Sequence, residues 1–138
     1  MIRRAMSVTL ALLLAAMLVV SGCGRGNTPL TQLQSARSGA LEVVLLSDHD
    51  GIRHGKDTFV VEFKSADGSL VDVGTVRASA SMPMAGAPMF GSIDLQRTGV
   101  PGRYTATSDF SMAGTWRLNV EWDGPAGRGS VNLSGTVQ

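Results

Sequence analysis

The sequence is short of cysteine, of net charge and of catalytic motifs, and each shortage narrows what the chain can be. A single cysteine in 138 residues excludes an intrachain disulfide, so the fold must stand on its apolar core. Twelve basic residues against eleven acidic ones leave no basic surplus of the kind that binds nucleic acid or an anionic membrane surface. We therefore expect no nucleic-acid partner.

No arrangement of residues indicates catalysis. The chain has no Gly-x-Ser-x-Gly turn, and no glycine-rich loop leads from a strand into a helix. Asp48 and Asp50 flank His49, but loop carboxylates usually meet solvent or cap turns, and the glutamate that completes a calcium loop is missing. We predict that the protein is not an enzyme.

What the chain does have, first, is a secretory N-terminus. Arg3 and Arg4 precede an apolar run over residues 5–20, which ends in Val20-Ser21-Gly22-Cys23, with two small residues before the cysteine. This pattern resembles the bacterial lipobox, which implies cleavage before Cys23 and a diacylglycerol on its thiol. The alternatives are an ordinary signal peptide or a single transmembrane anchor, but the run of about 16 residues is short for a bilayer span. We expect a signal peptide over residues 1–22 and a lipoprotein anchored outside the cytoplasm, on the periplasmic side or the cell surface.

Cleavage would leave 116 residues, enough for one modest domain, with ten basic residues against eleven acidic ones. Residues 24–39 are mostly polar or small, and Leu30 and Leu33 are the only large apolar residues among them. A short helix over residues 30–36 would have too few apolar positions to hold it. The sequence predicts a lipidated, flexible linker over residues 23–39 and a folded domain over residues 40–138.

The folded domain has a hydrophobic period of two. In Trp116, Leu118 and Val120 the apolar side chains share one face of a strand, and polar residues alternate with them. Glycine, proline and aspartate clusters separate such runs. The expected strands cover residues 41–46, 58–64, 71–82, 91–97, 103–110, 115–122 and 129–137. The pattern predicts an all-β, immunoglobulin-like antiparallel β-sandwich of about seven strands, whose nearly all-apolar first strand is covered on both faces or pairs at an edge.

Methionine and histidine are the residues of this chain whose side chains could bind a soft metal ion. Thioethers are soft ligands that suit Cu(I), and imidazole suits copper in either oxidation state. The candidate metal ligands are Met82, Met84, Met89, Met112, His49 and His54. If successive strands alternate in direction, the first, third and fifth connections bring all of these to one end of the sandwich.

Two other interpretations of the same residues stay open. Methionine often fills gaps in a core, and Met82 ends an inward-facing series, while Met112 could plug the sandwich beside Trp116. The histidines could be exposed loop residues. The end of the sandwich could also dock a partner without any metal.

Four short motifs follow one another in an order that resembles the YtkA-like family, also called FixH-like in some proteins. They are Gly55-Lys56-Asp57-Thr58-Phe59-Val60-Val61, Met82-Pro83-Met84-Ala85-Gly86, Gly102-Arg103-Tyr104 and Ser111-Met112-Ala113-Gly114-Thr115-Trp116. The resemblance covers residues 41–138. It implies an immunoglobulin-like sandwich outside the cytoplasmic membrane, related in role to copper-handling modules of cytochrome oxidase assembly or heavy-metal efflux. The chain departs from FixH proteins in having a lipobox where they have a transmembrane helix.

Together these features predict a lipid-anchored metal-handling accessory domain. Cu(I) would be held by Met84, Met89 and Met112, together with Met82 or a histidine. The expected partners are the membrane, through the lipid on Cys23, and a membrane protein complex or metal transporter. The alternative function is a scaffold or docking module, without metal, for a membrane complex such as an oxidase-assembly or efflux system.

Overall fold

A computed structural model describes residues 28–138. The expected signal peptide and Cys23 lie outside the described residues. The described part folds into β1 (Thr31–Ser38), β2 (Leu41–Ser47), β3 (Gly55–Lys64), β4 (Thr75–Met82), β5 (Met89–Arg97), β6 (Arg103–Phe110), β7 (Gly114–Gly124) and β8 (Gly127–Val137). Within this part of the chain, no helix has the length and apolar character needed to cross a membrane.

All eight strands join in one antiparallel hydrogen-bonded order, β1-β2-β3-β6-β5-β4-β7-β8. The order bends into two layers because β5 changes partner along its length. Its first residues, from Met89 to Gly91, pair with β4, whereas those from Ser92 to Arg97 pair with β6. The expectation of an all-β antiparallel sandwich is confirmed.

The core lies between the two layers, where aromatic side chains meet. Phe63 of β3 packs edge to face with Trp122 of β7, at 5.4 Å between ring centroids. Trp116, Leu118, Val120 and Trp122 are all buried, as their shared strand face predicts. The Tyr104 hydroxyl of β6 donates to the Gly74 carbonyl just before β4 at 2.8 Å, which ties one layer to the other. Burial raises the pKa of Tyr104, so this donor stays protonated.

The linker prediction for residues 23–39 is wrong over Thr31–Ser38, which form β1. This strand pairs along its length with β2, from Thr31 opposite Ser47 to Ser38 opposite Leu41. Backbone hydrogen bonds to β2 hold it, together with Leu33 and Ala36, which pack against the core. Two apolar positions in eight are too few for hydropathy to detect a strand. The domain therefore begins before residue 40 and has eight strands rather than about seven.

The nearly all-apolar strand β2 is not an edge. It lies between β1 and β3, and Val43, Val44 and Leu45 are all buried. Of the two alternatives for this segment, coverage on both faces is confirmed. The edge position belongs to β1, whose side chains are exposed or half-buried.

Strand directions follow from the antiparallel pairing. Since every neighbouring pair is antiparallel, β2, β4, β6 and β8 run toward one end of the sandwich, and the other four strands run away from it. That end carries the start of β1 and the end of β8. It also carries the connections over residues 48–54, 83–88 and 111–113. We call these connections, with the two strand residues on each side of them, residues 28–30 and Gln138, the methionine end.

Candidate functional site

Every methionine and histidine of residues 28–138 lies at the methionine end. His49 and His54 stand in the β2–β3 connection, Met84 in the β4–β5 connection and Met112 in the β6–β7 connection. Met82 and Met89 are the strand residues on either side of the β4–β5 connection. The placement of these residues at one end, expected from alternating strand directions, is confirmed.

Met82 and Met89 face each other across β4 and β5 and point toward the core. They are register partners, and directly opposed side chains on an antiparallel pair lie on the same face. Met82 is buried, and its methyl group fills the space beside Gly114 where a Cβ would stand. Met89 is half-buried, packs against the core, and accepts a hydrogen bond at its sulfur from the Ser111 hydroxyl at 2.9 Å.

Met84 and Met112 instead present their side chains to solvent, at 46% and 39% exposure. Met84 belongs to a connection whose residues 83–88 are all exposed. The main chain at Met112 is held in place, because its carbonyl accepts the Trp116 indole N–H at 3.1 Å and Trp116 is fully buried. Met112 therefore combines a fixed backbone with an available thioether.

His54 is exposed and has one ring nitrogen engaged. Its Nδ1 lies 3.0 Å from the main-chain oxygen of Gln138, which also accepts the His54 backbone N–H at 2.8 Å. A main-chain oxygen only accepts, so Nδ1 carries the proton. In the neutral ring the lone pair is then on Nε2. A backbone acceptor on one ring nitrogen is a common way to orient the other toward a metal.

His49 sits between two carboxylates. Its Nδ1 is 2.5 Å from Asp48 Oδ1, and its Nε2 is 3.0 Å from Asp57 Oδ2. These hydrogen bonds raise the pKa of His49, and the bond to Asp57 contributes more than the bond to Asp48. Burial alone would raise the pKa of Asp57, but the Arg53 backbone N–H and the His49 ring outweigh it and lower that pKa. In this arrangement both ring nitrogens of His49 are engaged by carboxylates, and the ring ties the β2–β3 connection to the start of β3.

Strand pairing and one side-chain hydrogen bond bring the three connections of the methionine end beside one another. Gly55 pairs with Phe110, which brings the segment carrying His54 beside the start of the β6–β7 connection. Gly114 pairs with Val137, so Gln138 extends past the other side of that connection, where it bonds His54. The hydrogen bond from Ser111 to Met89 links the same connection to β5.

The methionine sulfurs at this end are soft donors, whereas its aspartate carboxylates are hard donors. No group of three or more histidine, cysteine, aspartate or glutamate side chains within residues 28–138 is placed to hold a metal ion. A metal bound here would depend on thioether sulfur, with one imidazole as a partner. This is a donor set that suits Cu(I) and does not suit zinc or calcium.

Sequence reasoning missed one prominent residue of this end, Phe90, whose side chain is 75% exposed. The expected strand began at residue 91, so Phe90 fell in a loop with no assigned direction. The sequence did contain a signal for it. Gly91, Ile93 and Leu95 lie two apart on the inward face of β5, so Phe90 lies on the outward face.

Comparisons with known proteins bear on most of the domain. No curated protein matches the chain. Among solved structures, the crystal structure of the Lin-41 filamin domain is similar, with 14% sequence identity and a TM-score of 0.45 over 70% of this chain and 91% of that one. The family model described as YtkA-like matches residues 35–121, from the middle of β1 into β7 and more than half of the chain. The chain belongs to the YtkA-like family.

Proposed function

We propose that this protein is a lipid-anchored, extracytoplasmic accessory domain that holds Cu(I) at the methionine end. One observation carries the proposal: strand direction gathers every thioether and imidazole of residues 28–138 at that end. If these methionines served only to fill gaps in the core, we would expect methionine at both ends of the sandwich. The concentration at one end, with two thioethers exposed, suits a ligand site better.

The proposed ligands are the donors that are free to reach a metal. Met84 and Met112 have exposed thioethers, and His54 has a lone pair on Nε2 while Nδ1 is held by Gln138. Met89 is a fourth donor if its sulfur leaves the Ser111 hydroxyl. The proposed set leaves out Met82, which is buried against the core, and His49, whose ring nitrogens both face carboxylates.

The test of the metal site is a Cu(I) competition titration under reducing conditions against a chromophoric Cu(I) chelator. We expect Met84→Leu with Met112→Leu to weaken Cu(I) binding by at least about tenfold, since losing even a residue that only supports a metal ligand typically costs about 10–100-fold in affinity. Leucine keeps the side-chain volume and loses the sulfur, so the fold should remain intact. His54→Gln should weaken binding as well.

Matched controls come from the donors that the proposal leaves out. Met82→Leu and His49→Gln should leave Cu(I) affinity unchanged. Zn²⁺ should bind weakly to the unaltered chain, because no three histidine, cysteine, aspartate or glutamate side chains of residues 28–138 are grouped to hold it. If Met82→Leu weakens Cu(I) binding as much as the loss of Met84 and Met112, the ligand set is wrong. If the unaltered chain takes up no Cu(I), the metal function is refuted.

The anchor has a separate test. In a bacterial host fed with labelled fatty acid, the full chain should incorporate the label, and Cys23→Ala should abolish incorporation and impair removal of residues 1–22. A label that persists in Cys23→Ala, or normal processing of that variant, would contradict the lipobox interpretation.

Exposed Phe90 favours a second candidate function, a metal-free docking module for a membrane complex such as an oxidase-assembly or efflux system. An exposed aromatic side chain is a typical anchor of a protein interface. The two functions differ in what they need from methionine. Docking should survive Met84→Leu with Met112→Leu and fail in Phe90→Ser, whereas metal handling should show the reverse.

A further inference from the structure

Exposed apolar side chains are unevenly distributed over the domain. Among residues 28–138, the large apolar side chains that stand exposed are Leu30, Met84, Phe90, Val100 and Met112. Four of them lie at the methionine end, and only Val100 lies at the opposite end, in the β5–β6 connection. Scattered exposed apolar residues are ordinary, but their concentration at one end indicates a surface that is covered in use.

The chain enters the domain at that same end. Thr31 opens β1 opposite Ser47, the last residue of β2, and β1 then runs away from the methionine end. Only residues 24–27 separate Cys23 from Thr28. An extended chain spans at most about 3.3–3.6 Å per residue, so Thr28 can lie no farther than roughly 18 Å from the Cys23 backbone.

The length of the segment from Cys23 to Thr28 decides which end of the domain can contact a bilayer. Had residues 23–39 been a linker, the domain could have stood roughly 60 Å from the anchor and turned freely. With β1 folded into the sheet, the anchor attaches beside the methionine end. The opposite end is farther away by the length of a strand, roughly 25–35 Å for strands of this size.

We propose that the methionine end rests on the lipid surface, with Phe90 as its main apolar contact and Leu30, Met84 and Met112 around it. The inference rests on the proposed lipid anchor at Cys23. The short segment between Cys23 and β1 would keep this end next to the bilayer at all times, whether or not a protein partner is present. A lipid surface is therefore the contact that we expect.

Charge at this end argues for apolar rather than electrostatic contact. The exposed ionic side chains here are of both signs: Asp48, Asp50 and Asp109 are acidic, and Arg53 and Lys56 are basic. Such a mixture gives no basic patch for anionic headgroups. Contact should therefore depend little on anionic lipid content or on salt.

The experiment uses the full chain in the membranes of a bacterial host, with a photoreactive benzophenone amino acid in place of Phe90. The control carries it in place of Val100, an apolar residue of the opposite end whose side chain is also exposed, at 42% against 75% for Phe90. After irradiation with radiolabelled phospholipid present, we expect lipid adducts at position 90 at least several-fold above those at position 100.

Each outcome decides the proposal. Equal lipid labelling at the two positions, or adducts at position 90 that are protein rather than lipid, would overturn it, and the second result would favour docking to a membrane protein. Fatty-acid labelling of Cys23 in the same samples separates this failure from failure of the anchor. If Cys23 carries lipid and position 90 does not label, the surface proposal falls and the anchor stands. If Cys23 carries no lipid, the anchor proposal is refuted. Lipid adducts at position 90 would then still support lipid contact by the methionine end, and their absence would refute that proposal as well.

Discussion

Gly91→Ala tests how closely the aromatic core packs beneath the methionine end. Gly91 lies in β5 opposite Ala80, and a Cβ placed on it would stand 2.6 Å from Cδ1 of Phe110 and 3.2 Å from Cζ3 of Trp116. Both rings are fully buried and pack at 4.8 Å between centroids, so neither can move away freely. Overpacking of this kind costs about 1–3 kcal/mol.

Gly99→Ala is the matched control. Its Cβ would have no atom within 4 Å, and neither glycine needs a positive φ. Both substitutions lower the conformational entropy of the unfolded chain to the same extent. This effect alone would raise the unfolding free energy of each variant by about 0.4–1 kcal/mol. Their difference in unfolding free energy therefore isolates the contact with Phe110 and Trp116.

Urea and thermal unfolding of the two variants measure this difference. We expect Gly91→Ala to be less stable than Gly99→Ala by about 1–3 kcal/mol, with a melting temperature lower by about 4 °C for each kcal/mol. Phe110→Leu should cost less stability in the Gly91→Ala background than alone, since it removes part of the clash. Equal stability of Gly91→Ala and Gly99→Ala would refute the packing described here.

Three further substitutions test the fold and the β2–β3 connection. Trp116→Ala should cost about 3–5 kcal/mol of unfolding free energy by denaturant titration, and an unchanged melting temperature would contradict its buried position. Tyr104→Phe should cost about 1 kcal/mol in the same titration, because it leaves the Gly74 carbonyl without its donor; no change would mean that the bond adds nothing between the layers. The pKa of His49 is raised on folding, so its bonds to the carboxylates stabilise fully below its unfolded pKa of about 6.5 and are lost as pH rises through the folded pKa. His49→Gln should therefore flatten the fall in stability that begins above pH about 6.5, and an unaltered pH profile would contradict the role given to Asp57.

Strand faces could be predicted from the sequence because alternation is a local property. Trp116, Leu118 and Val120 follow one another at a period of two, and burial confirms that face. The turn between β1 and β2 and the pairing of β1 could not be predicted in the same way. Thr31–Ser38 has little apolar content, and its position depends on backbone bonds to a strand that only the fold brings alongside.

For the candidate site, the sequence determined which donors the chain has and which end they share. Both follow from residue identity and from the alternating direction of consecutive strands. Only the tertiary structure distinguished donors that look alike in the sequence. Met82 is buried and Met84 exposed, and His49 is held by two carboxylates while His54 is held by one backbone oxygen. Burial and hydrogen bonding depend on segments far apart in the chain, such as Gln138 beside His54, so no local pattern could have decided them.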